Sequence, residues 1–290
     1  MALKLMYITK EPKNAQIAEA AGVDRIFVDM EYIGKDERQK GVDTVKNHHT
    51  VEDVQKIRNT ITKSELLVRV NPIHEASEIY ESSKEEIDAV IKAGADIVML
   101  PFFKTVEEAQ TFIKLVNGRA VTMLLLETPE AVEIVDRIIE QPGLDEIFIG
   151  LNDLSRGYKK EFMFEILADG TVERLCMKFK EKRIPYGFGG VAPMDGGKLP
   201  GKYVLKEHYR LSSTCVILSR SFCMEDRKHS LEEFQSTFSK NVQELRKQGE
   251  ECIKYQEMGE GFEEYRRYFM ENKRIVKERV QDICKKQQTF

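Results

Sequence analysis

Eight times between Leu3 and Ser219 a short apolar run gives way to a polar turn, and seven of these turns lead into a helical pattern. This alternation constrains the fold more than any other feature of the chain. The apolar runs are Leu3–Thr9, Arg25–Glu31, Glu65–Asn71, Asp96–Phe103, Ala120–Glu127, Glu146–Asn152, Pro185–Val191 and Thr214–Ser219. Helical patterns cover Lys13–Ala21, Val51–Ile61, Lys84–Ala93, Val106–Val116, Pro129–Glu140, Val172–Lys182 and Leu199–Leu211. Runs such as Ile97-Val98-Met99-Leu100 are apolar without alternation, as expected where both faces of a parallel strand are buried. The pattern predicts an α/β fold, a (β/α)₈ TIM barrel, with a doubly wound sheet as the alternative.

A barrel needs roughly 250 residues, so 290 leave room for an appendage. From about Ser230 the strand signals stop and the sequence becomes charged and helix-forming. We therefore expect a barrel domain over 1–229 and a helical extension over 230–290. The extension reads as two helices broken near Gly259-Glu260-Gly261. The second carries Phe262, Tyr265, Tyr268, Phe269, Ile275 and Val276, an apolar set that needs a covering surface. That surface is either this barrel or a second copy, and the expectation is a homo-oligomer.

The formal net charge of −4 gives no global basic character for nucleic acid, and no apolar run is long enough for a membrane span. The N-terminus has no signal-like apolar segment, so the expected location is cytoplasmic. The cysteines at 176, 215, 223, 252 and 284 fit no zinc spacing and read as reduced thiols.

Barrel active sites lie at the C-terminal ends of the strands. The polar residues found there are Asp29 and Glu31 after the second run, Arg69 and Asn71 after the third, and Glu127 after the fifth. Gly150-Leu151-Asn152-Asp153 follows the sixth run and Ser219-Arg220 the eighth. Carboxylates from several strands with one arginine suggest a hard-cation site beside an anion clamp. Gly187-Phe188-Gly189-Gly190 and Gly196-Gly197 are compatible with a phosphate loop, or with a lid or tight turn. His48-His49 reads as solvated loop or, in its functional reading, as a source of an acid/base; His208 reads as helix surface or packing, and His74 as a weak site candidate.

Four segments together resemble one family. Leu124-Leu125-Leu126-Glu127-Thr128-Pro129 and Ile149-Gly150-Leu151-Asn152-Asp153-Leu154 resemble the metal-binding strands of the HpcH/HpaI aldolases. Val28-Asp29-Met30-Glu31 and Leu67-Val68-Arg69-Val70-Asn71 resemble citrate lyase β-subunits, in the same pyruvate/phosphoenolpyruvate-domain superfamily. The resemblance implies that Glu127 and Asp153 bind Mg²⁺ or Mn²⁺. It implies that Arg69 pairs with the carboxylate of a small 2-oxo acid, and that the backbone at Gly150, Leu151 and Asn152 cradles it. Asp29 and Glu31 join Arg69 as catalytic candidates. The implied activity is a metal-dependent carbon–carbon lyase, an aldolase or citryl/malyl-type lyase with an unknown aldehyde or acyl partner. Phosphoenolpyruvate chemistry, or a non-catalytic binding or assembly role, are the alternatives. One position departs from the pattern: many pyruvate aldolases of this group carry histidine after the strand-two glutamate, and this chain has Tyr32. Members of the family commonly exchange a C-terminal helix between barrels.

Overall fold

The computed structural model describes residues 1–34, 49–223 and 230–287. Eight parallel strands form a closed barrel in chain order: β1 Lys4–Ile8, β2 Arg25–Asp29, β3 Glu65–Arg69, β4 Ile97–Leu100, β5 Val121–Leu126, β6 Glu146–Ile149, β7 Tyr186–Val191 and β8 Cys215–Leu218. All eight expected strands are present, each shorter than its apolar run. The run extends past the last ladder residue, so Glu31, Asn71 and Glu127 sit just beyond strand ends rather than within strands. The chain divides into two compact units, Tyr7–Phe148 and Met1–Met6 with Ile149–Phe290.

In the first unit lie β2 to β5, most of β6, and helices α1 Pro12–Ala20, α2 Val51–Arg58, α3 Ser83–Lys92, α4 Val106–Val116, α5 Pro129–Glu133 and α6 Val135–Ile138. The start signals are written in the sequence. Thr50, Ser82 and Thr105 each accept the N–H of an acidic residue three positions on, and that acid caps back in return. Ile97, Val98, Met99 and Leu100 are fully buried, which fits the unalternating run.

Asp29 and Arg69 are register partners, as are Arg25 and Glu65 four residues earlier. Residues two and four apart in a strand share a face. Arg25, 1% exposed, is held by Glu65 at 2.8 Å and by both oxygens of Glu146 at 2.6 and 2.7 Å. A charge so buried is tolerated only with such pairing. One face of β2 and β3 thus carries an arginine–carboxylate pair at each end, with Phe27 and Leu67 between.

The second unit contains β7, β8, α7 Leu151–Gly157, α8 Glu165–Ala168, α9 Thr171–Glu181, α10 Gly201–Arg210, α11 Arg220–Cys223 and α12 Leu231–Met258. After α13 Glu263–Tyr265 comes a π-helical turn, Arg266–Met270, and then α14 Glu271–Gln287. The expected strand over 146–152 is corrected here: the chain turns helical at Leu151. The glycine cluster 187–190 lies inside β7 and is neither loop nor lid. Gly189 has φ +47, and a Cβ there would come within 2.5 Å of Leu151 Cδ1. Packing of Leu151, 1% exposed, explains that glycine without any ligand.

The break at Gly259 is found where expected, and α12 and α14 both pack on α10. α12 presents Phe234, Phe238, Val242, Leu245, Gly249 and Cys252 on one face. Gly249 permits the approach, since a Cβ there would lie 2.5 Å from Tyr209 Oη. Tyr265, Phe269 and Val276 are buried within the chain, while Phe262 is exposed. The extension and strands β7 and β8 fall in one compact unit. Most of the aromatic stripe is covered by this chain's own helices, so it no longer argues for a second copy. Among the described residues no helix is long and apolar enough to cross a membrane. Cys176, Cys215, Cys252 and Cys284 are free thiols, the first three buried.

Candidate active site

The site begins with the in-register pair at the ends of β2 and β3. Arg69 donates from Nε and Nη2 to the two oxygens of Asp29 at 2.8 and 2.7 Å, and its Nη1 lies 3.3 Å from Glu31. Such bidentate, charge-assisted contacts are the stronger class of hydrogen bond. Burial by itself lowers the Arg69 pKa, but Asp29 and Glu31 outweigh it and hold it well above the usual range, with Glu127 adding to the effect. Among the described residues these contacts engage Nε, Nη1 and Nη2, with one further N–H on each terminal nitrogen.

The loop beyond β2 is fixed from β3. Asn71 Oδ1 accepts the N–H groups of Tyr32 and Ile33, both at 2.9 Å, while its Nδ2 donates to Glu86 at 2.7 Å. Glu86, on α3, also accepts the Asn71 backbone N–H. Burial raises the Glu86 carboxyl above its ordinary value despite these hydrogen bonds. Burial, with Glu86 and Tyr80 nearby, also raises the Tyr32 phenol, which keeps it protonated near neutrality.

His49 corrects the surface expectation: it is buried, and its Nδ1 accepts the Asp29 backbone N–H at 3.0 Å. That contact places the ring proton of a neutral His49 on Nε2. The proximity of His49 to Asp29 had no local signal, because the intervening segment carries no periodicity. His48 lies outside the described residues. His74 is committed to its own loop, with Nδ1 2.7 Å from Pro72 O and Nε2 2.8 Å from Glu81 O. His208 is fully buried, stacked on Phe188 at 3.8 Å, and burial pushes its pKa down to about 3.

Glu127, 3% exposed, accepts the Phe102 N–H at 3.1 Å. The next residue, Thr128, caps α5 by accepting the Ala131 N–H and donates its hydroxyl to Phe103 O at 2.8 Å. The run Glu127-Thr128-Pro129 is therefore a strand end welded to a helix start, with Pro129 suited to the first helical position.

In the second unit Gly150 is the N-cap of α7, and Leu151, Asn152 and Asp153 form its first turn. Backbone N–H groups in a first turn have no acceptor within the helix. Asn152 is exposed and Asp153 half-buried, with Arg156 Nη1 3.9 Å from Asp153 Oδ1. Ser219 and Ser221 share a hydrogen bond of 2.9 Å after β8, and Arg220 is exposed. The structure thus brings Asp29, Glu31 and Arg69 into direct contact, with Glu127 close enough to act on Arg69. Gly150, Leu151, Asn152 and Asp153 form a separate cluster on α7. Among the described residues no group of three or more His, Cys, Asp or Glu is placed to hold a metal ion. A Mg²⁺ site needs only one or two carboxylates, with water and substrate oxygens completing it, and carboxylate oxygen is the donor that Mg²⁺ and Mn²⁺ prefer. Glu127 and Asp153 fit that donor chemistry.

The sequence profile of the HpcH/HpaI aldolase/citrate lyase family matches residues 4–163. Among curated proteins, none matches this sequence. Solved structures share the fold at low identity. An HpcH/HpaI aldolase/citrate lyase family protein from Burkholderia cenocepacia J2315 aligns with TM-score 0.60 and 16% identity, covering 80% of this chain and 94% of its own. An HpcH/HpaI aldolase from Desulfitobacterium hafniense DCB-2 aligns with TM-score 0.56 and 14% identity, covering 84% and 93%. The citrate synthase SbnG aligns with TM-score 0.58 and 15% identity, covering 78% and 89%.

Proposed function

Because the chain belongs to the HpcH/HpaI aldolase/citrate lyase family, we propose that it is a divalent-cation-dependent lyase that makes or breaks a carbon–carbon bond next to a 2-oxo acid. The observation that carries this reading is the bidentate Arg69–Asp29 pair with Glu31 and Glu127 beside it. A guanidinium held charged and oriented at strand ends is suited to a carboxylate and to the negative charge of a pyruvate-like enolate.

Glu127 and Asp153 would hold Mg²⁺ or Mn²⁺; the motif order along the chain and the family match support the pairing. Such a cation, when bound, supplies Lewis acidity toward the 2-oxo acid. The two Arg69 N–H groups outside its contacts with Asp29 and Glu31 would bind the substrate carboxylate. The first-turn N–H groups of Leu151, Asn152 and Asp153, after Gly150, would add to that cradle. Asp29 and Glu31 would keep Arg69 oriented and are the candidate proton carriers, with His49 held against Asp29. The second substrate would be an aldehyde or an acyl compound.

The test is turnover of pyruvate with a panel of aldehydes, with and without chelator. Glu127→Gln and Asp153→Asn should abolish metal-dependent turnover while leaving the circular dichroism spectrum intact. Full activity in excess chelator would refute the cation's role. Tyr32 at the expected histidine position favours a second reading, a barrel that binds the 2-oxo acid without turning it over. Calorimetric binding of oxalate with Mg²⁺, without turnover on the panel, would favour that reading.

A further inference from the structure

We propose that Phe102 is a positioning residue for the Glu127 carboxylate, acting through its left-handed backbone and not through its ring. The proposal rests on the reading of Glu127 as a cation ligand. Phe102 has φ +51. A bulky residue rarely adopts that region, and such outliers persist only where the surroundings over-determine them. Here the surroundings do so. Phe103, the next residue, is 1% exposed, and its carbonyl accepts the Thr128 hydroxyl at 2.8 Å. Pro101, the residue before, has its φ fixed by its ring. The turn after β4 is therefore tied to the segment after β5 at two points, Phe102 N–H to Glu127 Oε1 at 3.1 Å and Thr128 Oγ1 to Phe103 O.

The left-handed kink turns the peptide N–H, rather than a carbonyl, toward the carboxylate. It places a donor on Oε1 and so fixes the rotamer of Glu127. The ring itself is only half-buried, with Lys104 Nζ 5.3 Å from its centroid. Outer hydrogen-bond partners of a metal ligand commonly change affinity on the order of 10- to 100-fold when disturbed.

The experiment titrates Mn²⁺ alone into the full chain, read by electron paramagnetic resonance of free Mn²⁺, with melting curves alongside. Glycine and asparagine tolerate positive φ, whereas a β-branched residue does not. Phe102→Gly and Phe102→Asn should keep Mn²⁺ affinity within about threefold, and Phe102→Val should lower it roughly tenfold or more. A role in ring packing predicts the reverse order, with Val, which keeps apolar bulk, better than Gly. Retained affinity in Phe102→Val together with loss in Glu127→Gln would overturn the proposal and leave the cation reading standing. Unchanged affinity in Glu127→Gln would overturn the cation reading itself. If Phe102→Val fails to fold, the glycine variant decides: retained affinity supports the proposal, and lost affinity overturns it.

Discussion

Replacing Arg69 by methionine tests whether the arginine–carboxylate cluster is the electrostatic centre of the site. Methionine keeps much of the side chain's length and removes the charge. Asp29 and Glu31 have side chains 3% and 4% exposed, and both lie in contact with the guanidinium. Removing one partner of a buried ion pair costs about 3–5 kcal/mol, because the charge left behind is poorly compensated. Against a typical total stability of about 5–15 kcal/mol, that is a large fraction. At about 2–4 °C per kcal/mol it lowers Tm by roughly 6–20 °C. The assay is thermal and urea unfolding in chelator of the parent, Arg69→Met, Asp29→Asn and the double variant. If uncompensated charge is the cause, the double variant recovers part of the loss, with a coupling energy of about 1–3 kcal/mol. A loss under ~1 kcal/mol, or strict additivity of the two substitutions, would refute the reasoning.

Three further outcomes follow from the same structure. His208 has its folded-state pKa pushed from 6.5 to about 3, so its contribution is full above pH 6.5 and is lost as the pH falls from there. About 1.4 kcal/mol should disappear between pH 8 and pH 5.5, and His208→Phe, which keeps the stack on Phe188, should flatten that slope in unfolding titrations. Glu86 has its folded-state pKa raised by burial, so its contribution is present below 4.5 and is lost as the pH rises through the folded value. Glu86→Gln, which keeps an acceptor for Asn71, should gain stability relative to the parent as the pH rises, and a constant difference across pH would contradict this. Truncation at Ser230 should uncover the face of α10 that carries Tyr203, Glu207 and Tyr209 and give aggregates in light scattering; a soluble, well-folded truncated barrel would show that the extension is dispensable.

The eight strands were legible because each is a local apolar run bounded by turn residues, and three of the helix starts because Thr50, Ser82 and Thr105 announce capping boxes. Arg69, Glu127 and Asp153 could be singled out as candidates because strand ends and the family motifs mark them. Strand limits were less legible: apolar side chains continue beyond the hydrogen-bonded ladder, as at Leu151, where the chain has already turned helical. The burial of His49 had no local sign, since its partner is the backbone of Asp29, twenty positions away. The fate of the C-terminal stripe was undecidable from amphipathicity alone. A helix face shows that it needs cover and does not say what covers it; here α10 supplies it, with Asn272 Nδ2 donating to Tyr203 O and to Glu207.

The hydrogen bonds around the strand ends bear on how any loss of activity should be interpreted. Where a ladder stops, backbone N–H groups still need acceptors. His49 serves Asp29, Asn71 serves Tyr32 and Ile33, Glu86 serves Asn71, and Glu127 serves Phe102. Side chains that would act on substrate, such as Glu127, thus also satisfy the barrel rim. Glu127→Ala takes an acceptor from a Phe102 N–H that is held toward it, a loss worth about 1–3 kcal/mol of stability. Glu127→Gln can keep that acceptor through its amide oxygen while losing the charge. Both variants should lose Mn²⁺ binding, but only Glu127→Ala should also melt earlier by several degrees. Equal melting temperatures for the two would show that the Phe102–Glu127 hydrogen bond adds no net stability, and the carboxylate would then be kept for its charge alone.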